Sequence, residues 1–257
     1  MSLHRRGWLK AAGAGLGALW LAGCDRLTRS PGFTGVLRVA EQWTQGAHRL
    51  ITDRNALAKE FGPEHISTDF RANGTLRPQD PGYLALLAEN FAGYRLVVDG
   101  LVERPLALSL AEVRALPSRT QITRHDCVEG WSSIGKWTGA RLSALLDRAG
   151  VKPEARYIVF HCADTLDPFA TDGAGGYYES IDLVDAYHPQ TILAYRMNDA
   201  TLPVRHGAPL RLRVERQLGY KHAKYVMRIE AVASLDRIGR GQGGFWPDRG
   251  YEWYAGV

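Results

Sequence analysis

The sequence predicts a mixed α+β domain rich in sheet. Strand-like runs of β-branched, aliphatic and aromatic residues outnumber helical patterns, and the helical patterns are short. The two kinds of element do not alternate as a doubly wound parallel sheet requires. With 257 residues, 45% of them hydrophobic, the chain can bury a proper core as one large domain or two small ones.

The polar stretch over 25–68, punctuated by Gly and Pro, predicts a tether and an irregular wrapping segment. One short helix is expected near Asn55 to Glu60, and the main domain over 69–257. Tyr94 to Asp99 predicts a strand that ends at Gly100. Ser109-Leu110-Ala111-Glu112 is a capping box, because Ser109 can accept from the backbone while Glu112 reaches back, so a short helix should start there and stop before Pro117. Gln121 to Arg124 predicts a strand running into Cys127. Thr138 to Ala149 carries Leu142, Leu145 and Leu146 at helical spacing, with Gly150 as the stop. Tyr157 to Cys162 is a further strand, and Ser180 to Tyr187 a short helix. Thr191 to Met197, turning at Asn198-Asp199 and returning over Leu202 to Val204, predicts a hairpin. Leu210 to Glu215 alternates strictly, the pattern of a half-exposed strand, and Tyr225 to Val232 is the last strand.

The first ten residues hold Arg5, Arg6 and Lys10 and no acid, and a Gly/Ala/Leu-rich run follows from Ala11 to Gly23. A charged and then an apolar region make an export signal, and the apolar run is shorter than the roughly 20 residues of a spanning helix. The arginine pair with Gly7, Trp8, Leu9 and Lys10 resembles a twin-arginine signal, a route for folded proteins loaded with cofactor; an ordinary secretory signal is the alternative. Leu21-Ala22-Gly23-Cys24 resembles a lipoprotein cleavage box. Removal of 1–23 and acylation of Cys24 would hold the protein at the periplasmic side of the inner membrane; simple cleavage or none, with Cys24 incidental, is the alternative. The signal supplies three of the +5 formal charges, leaving +2 for the remainder. There is no basic tract interleaved with aromatics, which argues against nucleic acid as a partner.

Cys24, Cys127 and Cys162 are too few for a disulfide scaffold, although a Cys127–Cys162 bridge is one structural reading of the pair. Cys127 lies in Thr123-Arg124-His125-Asp126-Cys127-Val128-Glu129-Gly130-Trp131-Ser132, a thiol among polar and cationic neighbours. Such surroundings favour the thiolate, the form that ligates metals or attacks electrophiles. Zinc is disfavoured, since no paired-ligand spacing occurs. Later in the chain, His206-Gly207-Ala208-Pro209-Leu210-Arg211-Leu212 and Gly219-Tyr220-Lys221-His222-Ala223-Lys224-Tyr225 combine cations with glycines that let a backbone approach a ligand. Taken alone, Arg211 between Leu210 and Leu212 reads as the solvent side of a strand.

The Cys127 run resembles the metal-ligand segment of the sulfite oxidase fold family, and within it the methionine-sulfoxide reductase catalytic subunits. The two later runs resemble the family's signature of His or Asn before Gly-x-Pro-x-Arg, followed by a Gly and a Lys-bearing turn. Phe70-Arg71-Ala72-Asn73-Gly74 resembles the run that grips the pterin, one residue shorter in spacing, and Asp164 matches a position where an acid or Thr meets the cofactor. Residues 244–257 resemble the family's ending, with aromatics read as packing over the core. The likeness runs from about Asp69 to the end. It implies a molybdopterin-binding domain of the sulfite oxidase type, carrying molybdenum with one molybdopterin. Cys127 would be the metal ligand and catalytic centre. Phe70, Arg71, Asn73, Asp164, His206, Arg211, His222, Ala223 and Lys224 would contact the cofactor, with Arg211 and Lys224 at its phosphate end. The chain departs from sulfite oxidases in having no room for a haem or dimerisation domain. Val128-Glu129-Gly130-Trp131-Ser132 also replaces an Arg-rich run, which puts a cationic sulfite pocket in doubt.

The function expected on this basis is two-electron oxygen-atom transfer on a small-molecule substrate, with sulfoxides or related compounds as the class to be reduced. No Cys-x-x-Cys-His haem attachment occurs, so electrons need a separate partner, for which a membrane haem subunit is a candidate. Two alternatives stand beside it. One is a cofactor-free exported binding protein in which Cys127 is structural. The other is a thiol enzyme with Cys127 as nucleophile and His125 or His161 as base.

Overall fold

The computed structural model describes residues 30–257 apart from Gly173, so the expected signal at 1–23 and Cys24 lie outside the described residues. The chain separates into a unit ending at Ile51 and a second unit from Thr52 to Val257.

The described part of the first unit is one helix, α1 (Pro31–Ile51). It replaces the expected irregular segment. Gly32, Gly35 and Gly46 gave the stretch a loop-like composition, but Phe33, Val36, Ala40, Trp43, Ala47 and Leu50 recur at helical spacing. The short helix expected near Asn55 to Glu60 does not form. The Gln190 side chain occupies that backbone instead: the Ala58 amide donates to its Oε1 at 2.7 Å and its Nε2 donates to the Ala58 carbonyl at 3.0 Å. The segment runs on to a bridge between Glu60 and Thr123.

The second unit is built on two five-stranded sheets. The first holds β1 (Arg95–Gly100), β2 (Leu106–Ser109), β5 (Tyr157–Thr165), β6 (Gly176–Asp182) and β10 (Val226–Val232), in the order β2-β1-β10-β5-β6. Only its β1–β10 pair is parallel. The second holds β3 (Ser118–Asp126), β4 (Ser132–Arg141), β7 (Ile192–Met197) and β8 (Ala200–Thr201) in that order, with β9 (Arg211–Arg213) also on β7. Helices α2 (Pro81–Ala88), α3 (Leu110–Arg114), α4 (Leu142–Ala149) and α5 (Leu183–Ala186) are short, as the sequence predicts for an α+β domain.

Local chemistry explains most boundaries. Asp80 caps α2 by accepting from the Tyr83 amide, and both halves of the Ser109–Glu112 capping box form at α3. Helix α4 ends at Gly150, which takes φ 69°, a left-handed conformation that costs glycine little. Asn198 (φ 49°) and Asp199 (φ 62°) make the turn between β7 and β8. Two expectations shift. Thr138 to Arg141 ends strand β4 rather than starting α4, and Ser180 to Asp182 ends β6, so only Leu183–Ala186 is helical. In both places neighbouring strands satisfy the backbone, which overrides the local helical pattern.

The main core gathers Tyr94, Leu96 and Val98 of the β1 region, Ile158 and Phe160 of β5, Leu142, Leu145 and Leu146 of α4, and Leu193, Leu210 and Leu212 from the second sheet region. Strand β7 is buried on both faces. Leu193 and Tyr195 enter the main core, while Ile192, Ala194 and Met197 join Phe70, Trp137 and Leu202 in a smaller cluster. The pairing of β9 with β7 sets Arg211 opposite Ala194 and Arg213 opposite Ile192, so both arginines share the Trp137 face. Leu210 to Glu215 is therefore not half-exposed as its alternation suggested: Arg211 and Arg213 are 2% and 0% exposed.

Leu145 is fully buried in the main core. Leu145→Ala should destabilise the protein by about 2–5 kcal/mol, read as a lower urea midpoint with an unchanged slope.

Candidate cofactor site

Strand β3 ends at Asp126 and delivers Cys127 to a tight turn. The Cys127 amide donates to the Trp131 carbonyl at 2.9 Å, and the Gly130 amide donates back to the Cys127 carbonyl at 3.0 Å. Cys127 faces a cleft of about 820 Å³, part of it open to solvent. One wall comes from the Asn73-Gly74-Thr75 loop and another from Arg211, Gly219, His222 and Lys224. Asp164 near the end of β5, Tyr177 on β6 and Trp246 and Tyr251 near the C-terminus also line it. Both Cys127 and Cys162 are free thiols, so the disulfide reading fails.

The electrostatics around the cleft are dominated by buried donors. Arg211 donates from Nη1 to the His206 carbonyl at 3.2 Å and lies over the Trp137 ring at 5.2 Å, but its Nε finds no hydrogen-bond partner among the described residues. Burial, and then the charge of Arg213, push Arg211 down to about 9. Arg213, at 4.4 Å over the Trp137 ring, is neutralised by a two-pronged bond to Glu215 at 2.6 and 2.9 Å. Three imidazoles border these cations. His125 sits 5.0 Å from His222, ring to ring, and takes a contact from Arg213 Nη1 at 3.1 Å on Nδ1. His222 Nε2 meets the Gln217 carbonyl at 3.0 Å. His125 Nε2, His206 Nδ1 and His222 Nδ1 are all buried without a partner among the described residues. Burial, reinforced by the arginines, drives His206 down to about 4 and His125 and His222 well below the ordinary imidazole range. Gly219 matters because a Cβ there would lie 2.5 Å from His125 Nε2.

Lys224 lines the cleft and also holds a loop in place. Its ammonium donates to the carbonyls of Asn73 (2.7 Å), Thr75 and Arg205 (3.2 Å), so it clamps the 73–75 loop against the β9–β10 connection. Burial, then Arg211, push it down to about 7. The clamped loop aims Asn73 Nδ2 at Cys127 Sγ, 3.9 Å away. Asp164 is held up at about 6 by burial, offset by Lys224, and its Oδ1 has no partner among the described residues.

Of the expected site residues, Asn73, Cys127, Asp164, Arg211, His222 and Lys224 come together around the cleft. Phe70, Arg71, His206 and Ala223 are not in its lining. Phe70 is buried among Trp137, His125 and His206, with ring separations of 5.3–5.7 Å. Arg71 stacks over Trp131 at 5.3 Å and pairs with Glu129 at 3.8 Å. His206 backs Arg211 through its carbonyl, and the Ala223 carbonyl accepts from the Leu212 amide at 2.8 Å. Trp246 and Tyr251, stacked at 5.1 Å, line the cleft, although the sequence reading gave the C-terminal aromatics to core packing. His125 and Arg213 were not foreseen as parts of this donor cluster. Strand alternation carried the only sequence signal for Arg213, and it read as solvent exposure.

The surroundings of Cys127 do not favour a free thiolate, contrary to the expectation drawn from its sequence neighbours. Burial raises its pKa, and the Glu129 carboxylate adds to this; the Glu129 amide, Asn73 and Arg71 only partly offset the rise. Both bases expected for a thiol enzyme have a ring nitrogen already engaged. His161 Nε2 is engaged by Glu230 at 2.9 Å and Arg228 at 3.3 Å, and His125 is held by Arg213. Among the described residues no three His, Cys, Asp or Glu side chains gather to hold a metal. A metal bound through Cys127 would thus take further donors from a ligand, and the buried donor wall suits an anionic one.

A mixed two-sheet domain with a thiol facing a donor-rich cleft defines a cofactor-binding redox domain. Residues 85–236 match the family described as the oxidoreductase molybdopterin binding domain, and the chain belongs to that family. It is 34% identical over 98% of its length to a provisionally named protein-methionine-sulfoxide reductase subunit, YedZ1, of Azospira oryzae, covering 87% of that protein. It is 30% identical over 72% of its length to the protein-methionine-sulfoxide reductase catalytic subunit MsrP of Campylobacter jejuni, of which it spans 64%. The solved sulfane dehydrogenase SoxCD of Paracoccus pantotrophus aligns with 56% of this chain and 39% of its own at 25% identity, with a TM-score of 0.49. The chain is a molybdopterin-binding oxidoreductase related to the methionine-sulfoxide reductases.

His206 stays neutral when folded but takes up a proton below pH 6.5 when unfolded. The unfolded chain then binds more protons, so this contribution to stability is intact above pH 6.5 and is lost as the pH falls to 4. In cofactor-free protein, His206→Asn should shrink the stability lost over that window by roughly 1–3 kcal/mol, read from urea midpoints at each pH.

Proposed function

We propose that this chain carries molybdenum with one molybdopterin and reduces sulfoxides or related small molecules on the periplasmic side of the inner membrane. The observation that carries this reading is the set of buried polar atoms on Arg211, His125, His206 and His222 that have no partner among the described residues, beside a cleft that also presents the Cys127 thiol. Buried cations without counter-ions are costly, and an anionic ligand offsets that cost. When bound, the group supplies two-electron oxygen-atom transfer.

The protein's own residues hold and orient. Cys127 gives soft thiolate sulfur to the metal. Arg211 donates to anionic edges of the ligand, His222 Nδ1 accepts from its polar edges because Nε2–H is spent on the Gln217 carbonyl, and Lys224 fixes the 73–75 loop so that Asn73 faces the thiolate. His206 supports Arg211 from behind. Trp246 and Tyr251 form an apolar flank of the cleft, which suits a neutral substrate better than sulfite. Electrons come from a separate partner, with a membrane haem subunit as the candidate.

The relatives' printed names support the substrate class, since one is provisionally named a subunit, and the other is named the catalytic subunit, of a protein-methionine-sulfoxide reductase. Residues 1–23 act as a twin-arginine signal, and Cys24 carries the lipid that keeps the domain, 69–257, at the membrane. Among the described residues no helix is long and apolar enough to cross a membrane.

Protein exported from a molybdenum-replete host should contain near-stoichiometric molybdenum and turn over sulfoxides in preference to sulfite. Cys127→Ala should abolish activity, and Arg211→Met should lower retained molybdenum and pterin by roughly tenfold. Full activity in metal-free protein would refute the reading. For targeting, Arg5→Lys with Arg6→Lys should block export, and Cys24→Ser should remove a radioactive palmitate label. Normal export of the double variant, or a label that survives Cys24→Ser, would overturn the respective assignment.

A further inference from the structure

Helix α1 has a two-sided surface that the cofactor site does not use. Phe33, Val36, Ala40, Trp43, Ala47 and Leu50 follow one another at spacings of three and four, and Leu37 and Ile51 widen the stripe. At about 100° per residue these apolar positions cover an arc of about 140°. The stripe is open: Val36 is 65% exposed, Trp43 77% and Leu50 87%. Glu41, Gln45, His48 and Arg49 occupy the opposite arc, and each of them is engaged. Single exposed apolar residues are ordinary, but a continuous stripe of this length marks an interaction surface.

Four observations point to lipid as the occupant. The arc is wider than the narrow seam of a coiled coil, and two of the six seam positions are alanine, so pairing with a second copy would be weak. Only the six residues 25–30 separate Cys24 from Pro31, a reach of at most about 25 Å, so an acyl chain on Cys24 would hold the helix at the bilayer surface. Over 25–51, Arg26, Arg29, Arg38 and Arg49 outnumber Asp25 and Glu41, an excess that suits anionic headgroups. Trp43, in the middle of the stripe, is a residue type that prefers the boundary between water and hydrocarbon.

We propose that α1 lies along the headgroup–acyl boundary of a phospholipid bilayer, its Phe33-to-Leu50 face inserted, as a second anchor beside the lipid on Cys24. This rests on the lipid-anchor reading given above. A single acyl chain binds a membrane only marginally, and a second signal makes the attachment stable.

The test uses the exported protein in vesicles of phosphatidylethanolamine and phosphatidylglycerol brominated on their acyl chains. The difference in fluorescence between wild type and Trp43→Phe isolates Trp43. That difference should be blue-shifted, and brominated lipid should quench it about twofold or more. Val36→Glu with Leu50→Glu should abolish the quenching while molybdenum content and the label on Cys24 stay unchanged. An unquenched Trp43 in labelled protein overturns the proposal, as does a dimer that this double variant splits. Loss of the label alone removes the Cys24 reading; quenching that persists in unlabelled protein still supports the helix as an anchor.

Discussion

Positive charge buried on one face of a sheet is the constraint around which this domain is arranged. Arg211 and Arg213 leave β9 on the same side and lie over Trp137, away from water. Removing such ions from solvent costs several kcal/mol each unless they are paired. Glu215 settles Arg213, whereas Arg211 keeps one donor without a partner among the described residues. Burial keeps the neighbouring histidines neutral, and repulsion from the arginines adds to it. The result is a wall that donates hydrogen bonds and carries charge, shaped for an anionic ligand before that ligand arrives.

The remaining parts serve this wall. Trp137 gives the guanidinium groups an aromatic face to rest on, and Phe70 closes the other edge of that ring. Lys224 spends its three hydrogen bonds on backbone carbonyls, which fixes the approach of the Asn73 loop to Cys127. Two distant stretches of chain are thereby set against a thiol that a third delivers from the end of β3. The rigidity of the strands makes the arrangement precise, because loops alone would leave the donors free to turn toward water.

Much of this was legible in the primary structure where local chemistry decides. The Ser109–Glu112 box, the Gly150 stop and the Asn198-Asp199 turn each act through their own backbone, and each forms as expected. Legibility failed where a remote partner decides. Gln190 keeps the Ala58 backbone extended, and strand pairing holds Thr138 to Arg141 out of a helix. Glycines hid α1, whose apolar periodicity outlasts them. Phe70 and Ala223 lie beside the cleft lining rather than in it, because a motif names neighbours in sequence while the fold turns alternate side chains to opposite faces.

By itself the sequence determined the mixed, sheet-rich class, the position of the thiol and the family to which these motifs belong, since each is carried by residue type and short-range spacing. Tertiary structure alone decided that the alternating arginines of β9 are buried, that Lys224 grips a loop, and that the C-terminal aromatics border the cleft. Alternation marks the two faces of a strand but not what lies against either. A second buried face exists only once another part of the chain has folded over it.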